Sequence, residues 1–195
     1  MRTSTITRET RETKILITLN LDKSTDGGSS VTTGIGFLDH MLTAFAVHGG
    51  FGLNLECKGD LEVDSHHTAE DVGIVLGKAI KEALGGSKIM RYGSARIPMD
   101  ESLGWCTMDI SGRPFLVFRA DFAGEKVGEL DTQMVKEFMQ AVAFNAGITL
   151  HVGIDYGEND HHKIEAMFKA FAYALKEAVK VNSGSNVIST KGMLA

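Results

Sequence analysis

The chain has 195 residues, 43% of them hydrophobic and 23% charged, with a formal net charge of −5. That length holds one domain or two small ones sharing a core, and the acidic balance excludes the basic excess usual for a nucleic-acid partner. The apolar runs fall well short of the roughly 20 residues that span a bilayer, and the polar start Met1-Arg-Thr-Ser-Thr5 is not of signal-peptide type.

In chain order, Ile15, Ile17, Leu19 and Leu21 repeat with the period of a half-buried strand. Lys23–Ser30 reads as a mobile turn. Phe37, Leu38, Leu42 and Phe45 follow at helical spacing until Gly49-Gly50 stops the helix. Leu53, Leu55 and Cys57 alternate as another strand, and a helix runs from about Ser65 to Leu84 before Gly85-Gly86. Strands are predicted at Leu103–Ile110 and Pro114–Arg119. Asp131 is predicted to cap a helix reaching about Asn145, a strand lies near Ile148–Gly153, and a long helix spans about Asp160 to Val181. Asn182 onward reads as a loop or tail. Cys57 and Cys106 make no disulfide framework, so a reduced, cytoplasmic protein is expected.

The chain is written twice. His66-His67-Thr-Ala-Glu70 recurs 95 residues later as His161-His162-Lys-Ile-Glu165, and Ala79–Leu84 recurs at the same offset as Ala174–Val179. Upstream the offset becomes 97, with Phe45–Leu55 lying against Val142–Val152. Two halves, 1–90 and 91–195, are expected to form one α+β domain with helices on mainly antiparallel or mixed sheets.

On a helix, residues four apart share a face, so His66 can grip a metal with Glu70, and His161 with Glu165. His67 and His162 point about 100° away and suit a second ion. Imidazole with carboxylate favours Mn, Fe or Zn. His40, in Gly36-Phe-Leu-Asp-His40, has Glu137 as its counterpart at the upstream offset. Two pseudo-symmetric sets follow: His40, His67, His161 and Glu165 for one ion, and His66, Glu70, His162 and Glu137 for the other. His151 is the other candidate for the place of Glu137, although its strand position favours a structural role, as does that of His48 after the first helix. Lys169, four residues past Glu165, either points into this pocket or forms an ordinary surface ion pair.

Gly34-Ile-Gly-Phe-Leu-Asp-His-Met-Leu42, both His-His motifs and the tail Ser189-Thr-Lys-Gly-Met-Leu194 closely resemble the imidazoleglycerol-phosphate dehydratases, from about Arg8 to Leu194. The resemblance implies conversion of imidazoleglycerol phosphate to imidazoleacetol phosphate in histidine biosynthesis, and a site with two manganese ions. It also implies duplicated halves like ribosomal protein S5 domain 2, with helices packed between two sheets. The expected assembly is a homo-oligomer of twenty-four subunits with cubic symmetry and active sites between subunits. Many members carry His where this chain has Glu137. Glu12 matches a carboxylate near the substrate and is preferred over Glu9, which sits in the same local repeat. It is the proton-transfer candidate, with Glu70, Glu165 and Lys169 behind it. Arg91, Arg113, Ser189 and Lys191 match phosphate contacts, with Lys169 and the site histidines around the rest of the substrate. No nucleic acid or membrane partner is expected.

Overall fold

The structure is a computed structural model that describes residues 1–22 and 29–182. The first half runs β1 (Thr3–Glu9), β2 (Thr13–Asn20), β3 (Ser30–Thr32), α1 (Gly36–Gly49), β4 (Gly52–Gly59) and α2 (His66–Leu84). The second runs β5 (Tyr92–Met99), β6 (Ser102–Asp109), β7 (Phe115–Arg119), a short hairpin β8 (Lys126–Val127) and β9 (Leu130–Asp131), then α3 (Met134–Ala146), β10 (Thr149–Tyr156) and α4 (Asp160–Ala178). The sheets repeat one topology, β1-β2-β4-β3 and β5-β6-β10-β7. In each, the first three strands pair antiparallel and the last is parallel to its neighbour. Even the register repeats, Thr3 facing Asn20 as Tyr92 faces Asp109.

Each sheet buries one face. Ile15, Ile17 and Leu19 are fully buried while the intervening Leu16 is 42% exposed, and Cys106 and Met108 do the same on β6. The four helices fill the space between. α2 lies on β1 and β2, α4 on β5 and β6, α1 crosses α4, and α2 crosses α3, all in one apolar core. No helix among the described residues is long and apolar enough to cross a membrane.

The α2–α3 crossing depends on glycine. A Cβ at Gly77 would stand 2.7 Å from the Val142 carbonyl oxygen, a backbone atom that moves only if the helices part. Gly77→Ala is therefore expected to destabilise the protein by about 1–3 kcal/mol through overpacking, despite alanine's better helix propensity. Thermal unfolding should show a midpoint lower by about 3 °C per kcal/mol; an unchanged or raised midpoint would show that the crossing relaxes freely.

Four expectations are corrected. Asp131 caps no helix: it ends β9, accepts a hydrogen bond from Ser65 Oγ at 3.1 Å, and α3 starts after Gln133. Ser30, assigned to a mobile turn, begins β3; residues 23–28 of that segment lie outside the described set. α4 stops at Ala178, where Arg91 N–H bonds the Ala178 carbonyl at 2.8 Å. Strands β1, β3, β5, β8 and β9 were not anticipated. β1 and β3 are short or polar edge strands that bury few side chains, and β8–β9 has two residues per strand.

Candidate active site

The start of α4 sets the first cluster. The Asn159 side chain accepts the backbone N–H of His161 at 2.9 Å and of His162 at 3.4 Å, fixing the first helical turn. His161 then faces α1. Its Nε2 lies 3.2 Å from Glu165 Oε2, and His40 Nε2 lies 3.4 Å from the same oxygen. The donor atoms of His40, His161 and Glu165 all fall within 4.8 Å of one another, a spacing that can hold a metal ion. Phe37 packs edge-on against His161, with ring centroids 4.9 Å apart. Glu165 is buried, and Lys169 Nζ meets its Oε1 at 2.7 Å. Burial pushes the Glu165 carboxyl up, but Lys169 and then His40 outweigh it and hold the group below its ordinary value. Lys169 is thus ion-paired, and its side chain also reaches Met99 Sδ at 3.4 Å.

The start of α2 carries the counterpart pair, His66 Nε2 to Glu70 Oε2 at 3.4 Å. α2 and α3 run side by side in the same direction, with Gly73 against Phe138 and Ala141 and Gly77 against Val142 and Asn145. Glu70, one turn before Gly73, therefore lies alongside the turn that carries Glu137. Among the described residues Glu137 makes no ion pair or hydrogen bond with His66 or Glu70; it lines a cleft with Phe118, Phe122 and Lys136.

His67 and His162 turn away from these clusters, as neighbours on a helix must. His67 Nδ1 meets Asp60 Oδ2 at 3.0 Å, and its Nε2 lies 3.8 Å from Glu12 Oε1. His162 Nδ1 meets Glu101 Oε2 at 2.7 Å, and its Nε2 lies 3.5 Å from Asp100 Oδ2. The Asp60 carboxylate raises His67 and the Glu101 carboxylate raises His162 above the ordinary imidazole value. Backbone N–H of Asn159, followed by His162, hold Glu101 far below the carboxylate range. Within one chain, then, three of the four side chains expected at the first ion converge, and two of the four expected at the second; His67 joins neither His40 nor His161, and His162 joins neither His66 nor Glu70.

Glu12 stands at the exposed turn between β1 and β2, while Glu9, at the end of β1, pairs across the strands with exposed Lys14 of β2 at 3.4 Å. His151 is exposed on β10 between fully buried Leu150 and Val152, so it faces away from the helices that carry the other candidates. His48 ends α1 beside Tyr173.

Arg91 and Arg113 gather at the opposite end of the second sheet. Arg91, held at φ 71°, donates from Nε (2.6 Å) and Nη2 (3.0 Å) to the Asp109 carboxylate, and Arg113 Nη2 lies 3.9 Å from it. Asp109 ends β6 and Glu101 precedes its start. At about 3.3 Å per residue the two ends are roughly 25 Å apart. Ser189 and Lys191 lie outside the described residues.

Sequence reasoning did not single out Asp60, Glu101 or Asp109. A third offset, 89 residues, carried the signal for Glu101: Glu12-Thr13 and Thr18-Leu19-Asn20-Leu21 lie against Glu101-Ser102 and Thr107-Met108-Asp109-Ile110.

Comparison with known proteins identifies the family. The family model for imidazoleglycerol-phosphate dehydratase matches residues 33–175. Curated relatives bearing that name include those of Listeria welshimeri, 56% identical over 100% of both chains, and Acetivibrio thermocellus, 57% identical over 97% of both. Among solved structures, the Staphylococcus aureus dehydratase superposes with a TM-score of 0.83 at 43% identity, covering 92% of this chain and 99% of that one. The Pyrococcus furiosus protein superposes at 0.82 with 36% identity, covering 97% and 100%. The chain belongs to the imidazoleglycerol-phosphate dehydratase family of hydro-lyases, which act in histidine biosynthesis.

Proposed function

We propose that the chain converts imidazoleglycerol phosphate to imidazoleacetol phosphate and water at a site that holds two manganese ions and is completed between subunits of a homo-oligomer in the cytoplasm. The observation that carries this reading is the convergence of His40, His161 and Glu165, two imidazole nitrogens on one buried carboxylate. That donor set fits a borderline-hard divalent cation. By the internal repeat, His66, Glu70 and Glu137 form the equivalent set, and His67 and His162 are the remaining donors, one for each ion.

In the reaction the hydroxyl on the carbon bonded to the ring leaves as water, the neighbouring carbon loses its hydrogen, and the resulting enol becomes the ketone. No carbonyl adjoins the carbon that gives up its proton, so the imidazole ring has to accept charge. Two bound divalent cations would supply Lewis acidity to the ring nitrogens. Glu12 suits proton transfer: it is an exposed carboxylate beside His67, whereas Glu165 is engaged by Lys169 and Glu70 by His66. Arg91 and Arg113 suit the phosphate, as fork-shaped donors preset on Asp109. Roughly 25 Å separates that end of β6 from the histidine end, whereas the substrate spans roughly 10 Å by the reach of an extended covalent chain. One chain therefore cannot grip both ends of one molecule, which supports a site shared between subunits.

The test is turnover of imidazoleglycerol phosphate with chelator and then with manganese added back. Imidazoleacetol phosphate should form, stop on chelation and resume with manganese. Release of inorganic phosphate without that ketone would point instead to a two-metal phosphate-ester hydrolase, which would use the same ligand types.

A further inference from the structure

We infer that Asp60 and Glu101 are positioning residues that fix the ligating tautomer of His67 and His162, and that Glu101 is the immobilised counterpart of Glu12. The inference rests on the two-ion reading above. A carboxylate can only accept, so the nitrogen facing it carries the proton. Asp60 at 3.0 Å and Glu101 at 2.7 Å both hydrogen-bond Nδ1, whereas Glu12 at 3.8 Å and Asp100 at 3.5 Å approach Nε2 without a hydrogen bond, so each Nε2 keeps its lone pair. The same device therefore appears in both halves, on the two histidines that the intrachain clusters leave out.

The carboxylates come from different places, and the difference is informative. Glu12 and Glu101 occupy equivalent turns, before β2 and β6, and β1–β2 and β5–β6 share one register. Glu101 is locked: Oε1 accepts the backbone N–H of Glu158 at 3.1 Å and Asn159 at 2.9 Å and the Ser102 hydroxyl at 2.9 Å, while Oε2 takes His162. Glu12 has its histidine only at 3.8 Å, and its side chain is 52% exposed. In the first half Asp60, just after β4, holds the histidine instead. The equivalent position after β10 is Gly157, at φ 156°, where a Cβ would fall 2.2 Å from Ser102 Oγ, so no carboxylate can stand there. Asp60 thus relieves Glu12 of the orienting role and leaves it available to substrate, whereas Glu101 is committed to His162. The duplicated halves orient their histidines alike, and the exposed carboxylate left beside Nε2 is Glu12 in the first half and Asp100 in the second.

Glu101→Gln tests this sharply. The amide oxygen must take the place that receives two backbone N–H groups, so the amide nitrogen faces His162 Nδ1 and donates to it. The proton then moves to Nε2, which loses its lone pair. Manganese titration of the metal-free protein, followed by the paramagnetic resonance of free ion, should show two ions per chain for the unsubstituted protein. In Glu101→Gln one of the two should bind at least about tenfold more weakly and the other normally, with thermal midpoint and oligomer mass unchanged. Asp60→Leu should weaken the other ion by a similar factor. A merely structural role would not single out one ion. Affinities within about twofold of the unsubstituted protein for both ions in both variants would overturn the inference alone, since the parent would still bind two ions. Absence of manganese uptake by the parent would overturn the two-ion reading as well.

Discussion

His161→Ala should lower kcat/KM for imidazoleglycerol phosphate by about 10³-fold or more, the several kcal/mol that Lewis-acid assistance supplies. The loss follows from the geometry of the cluster. Glu165 Oε2 is shared by His40 at 3.4 Å and His161 at 3.2 Å, while its other oxygen is taken by Lys169. Without His161 the proposed ion keeps two of its three intrachain donors, and only His40 is left to oppose Lys169 at the carboxylate. Folding should survive, because His161 is 42% exposed at its side chain and gives up mainly an edge contact with Phe37. Steady-state kinetics with metal analysis on the same preparation makes the check. His66→Ala, which breaks the counterpart pair with Glu70, should behave alike. His151→Ala, on the far face of the second sheet, should retain near-normal rates. A His161→Ala enzyme within about tenfold of the parent would remove the cluster from the chemistry.

Much of this was legible in the chain because it was written twice. The His-His-x-x-Glu spacing states outright which residues share a helical face, and the offset of 95 pairs the two copies. The register of α2 on α3 supports the pairing of Glu137 with the His66 and Glu70 side. What remained hidden was the partition of ligands. Sequence periodicity says that His67 diverges from His66, but not that it turns toward Asp60 and Glu12 at the end of the first sheet. Strand β5 stayed hidden for a related reason. It lies flush under α4, so it presents Gly93 and Ala95 where a buried strand would carry large side chains, and the period-2 signal vanishes. Asp131 misled because an aspartate ahead of an apolar helical pattern reads as a cap, whereas here Ser65 and Lys126 recruit it into the β8–β9 hairpin. Local rules located the elements and the donor atoms; tertiary contacts decided which donors meet.

The same partition makes the shared site testable by mixing two defective chains. On the proposed function, His161→Ala removes a donor of the ion at the α1–α4 end, and Arg113→Glu replaces the proposed phosphate donor with a repelling charge about 25 Å away along β6, so each homogeneous oligomer should be nearly inactive. Arg113 is 58% exposed at its side chain, so its replacement leaves the core intact. If a site takes its histidine cluster from one subunit and its arginines from another, random reassembly of equal amounts places an intact histidine in half the sites and, independently, an intact arginine in half. About a quarter of the sites are then complete, and the mixture should recover about a quarter of parental turnover after the oligomers are dissociated and reassembled together. Mixing without dissociation should recover none, because exchange is needed to bring the intact halves together. A reassembled mixture as inactive as its components would mean that both ends of the substrate are gripped by one chain, which the length of β6 forbids unless the arginines serve another purpose.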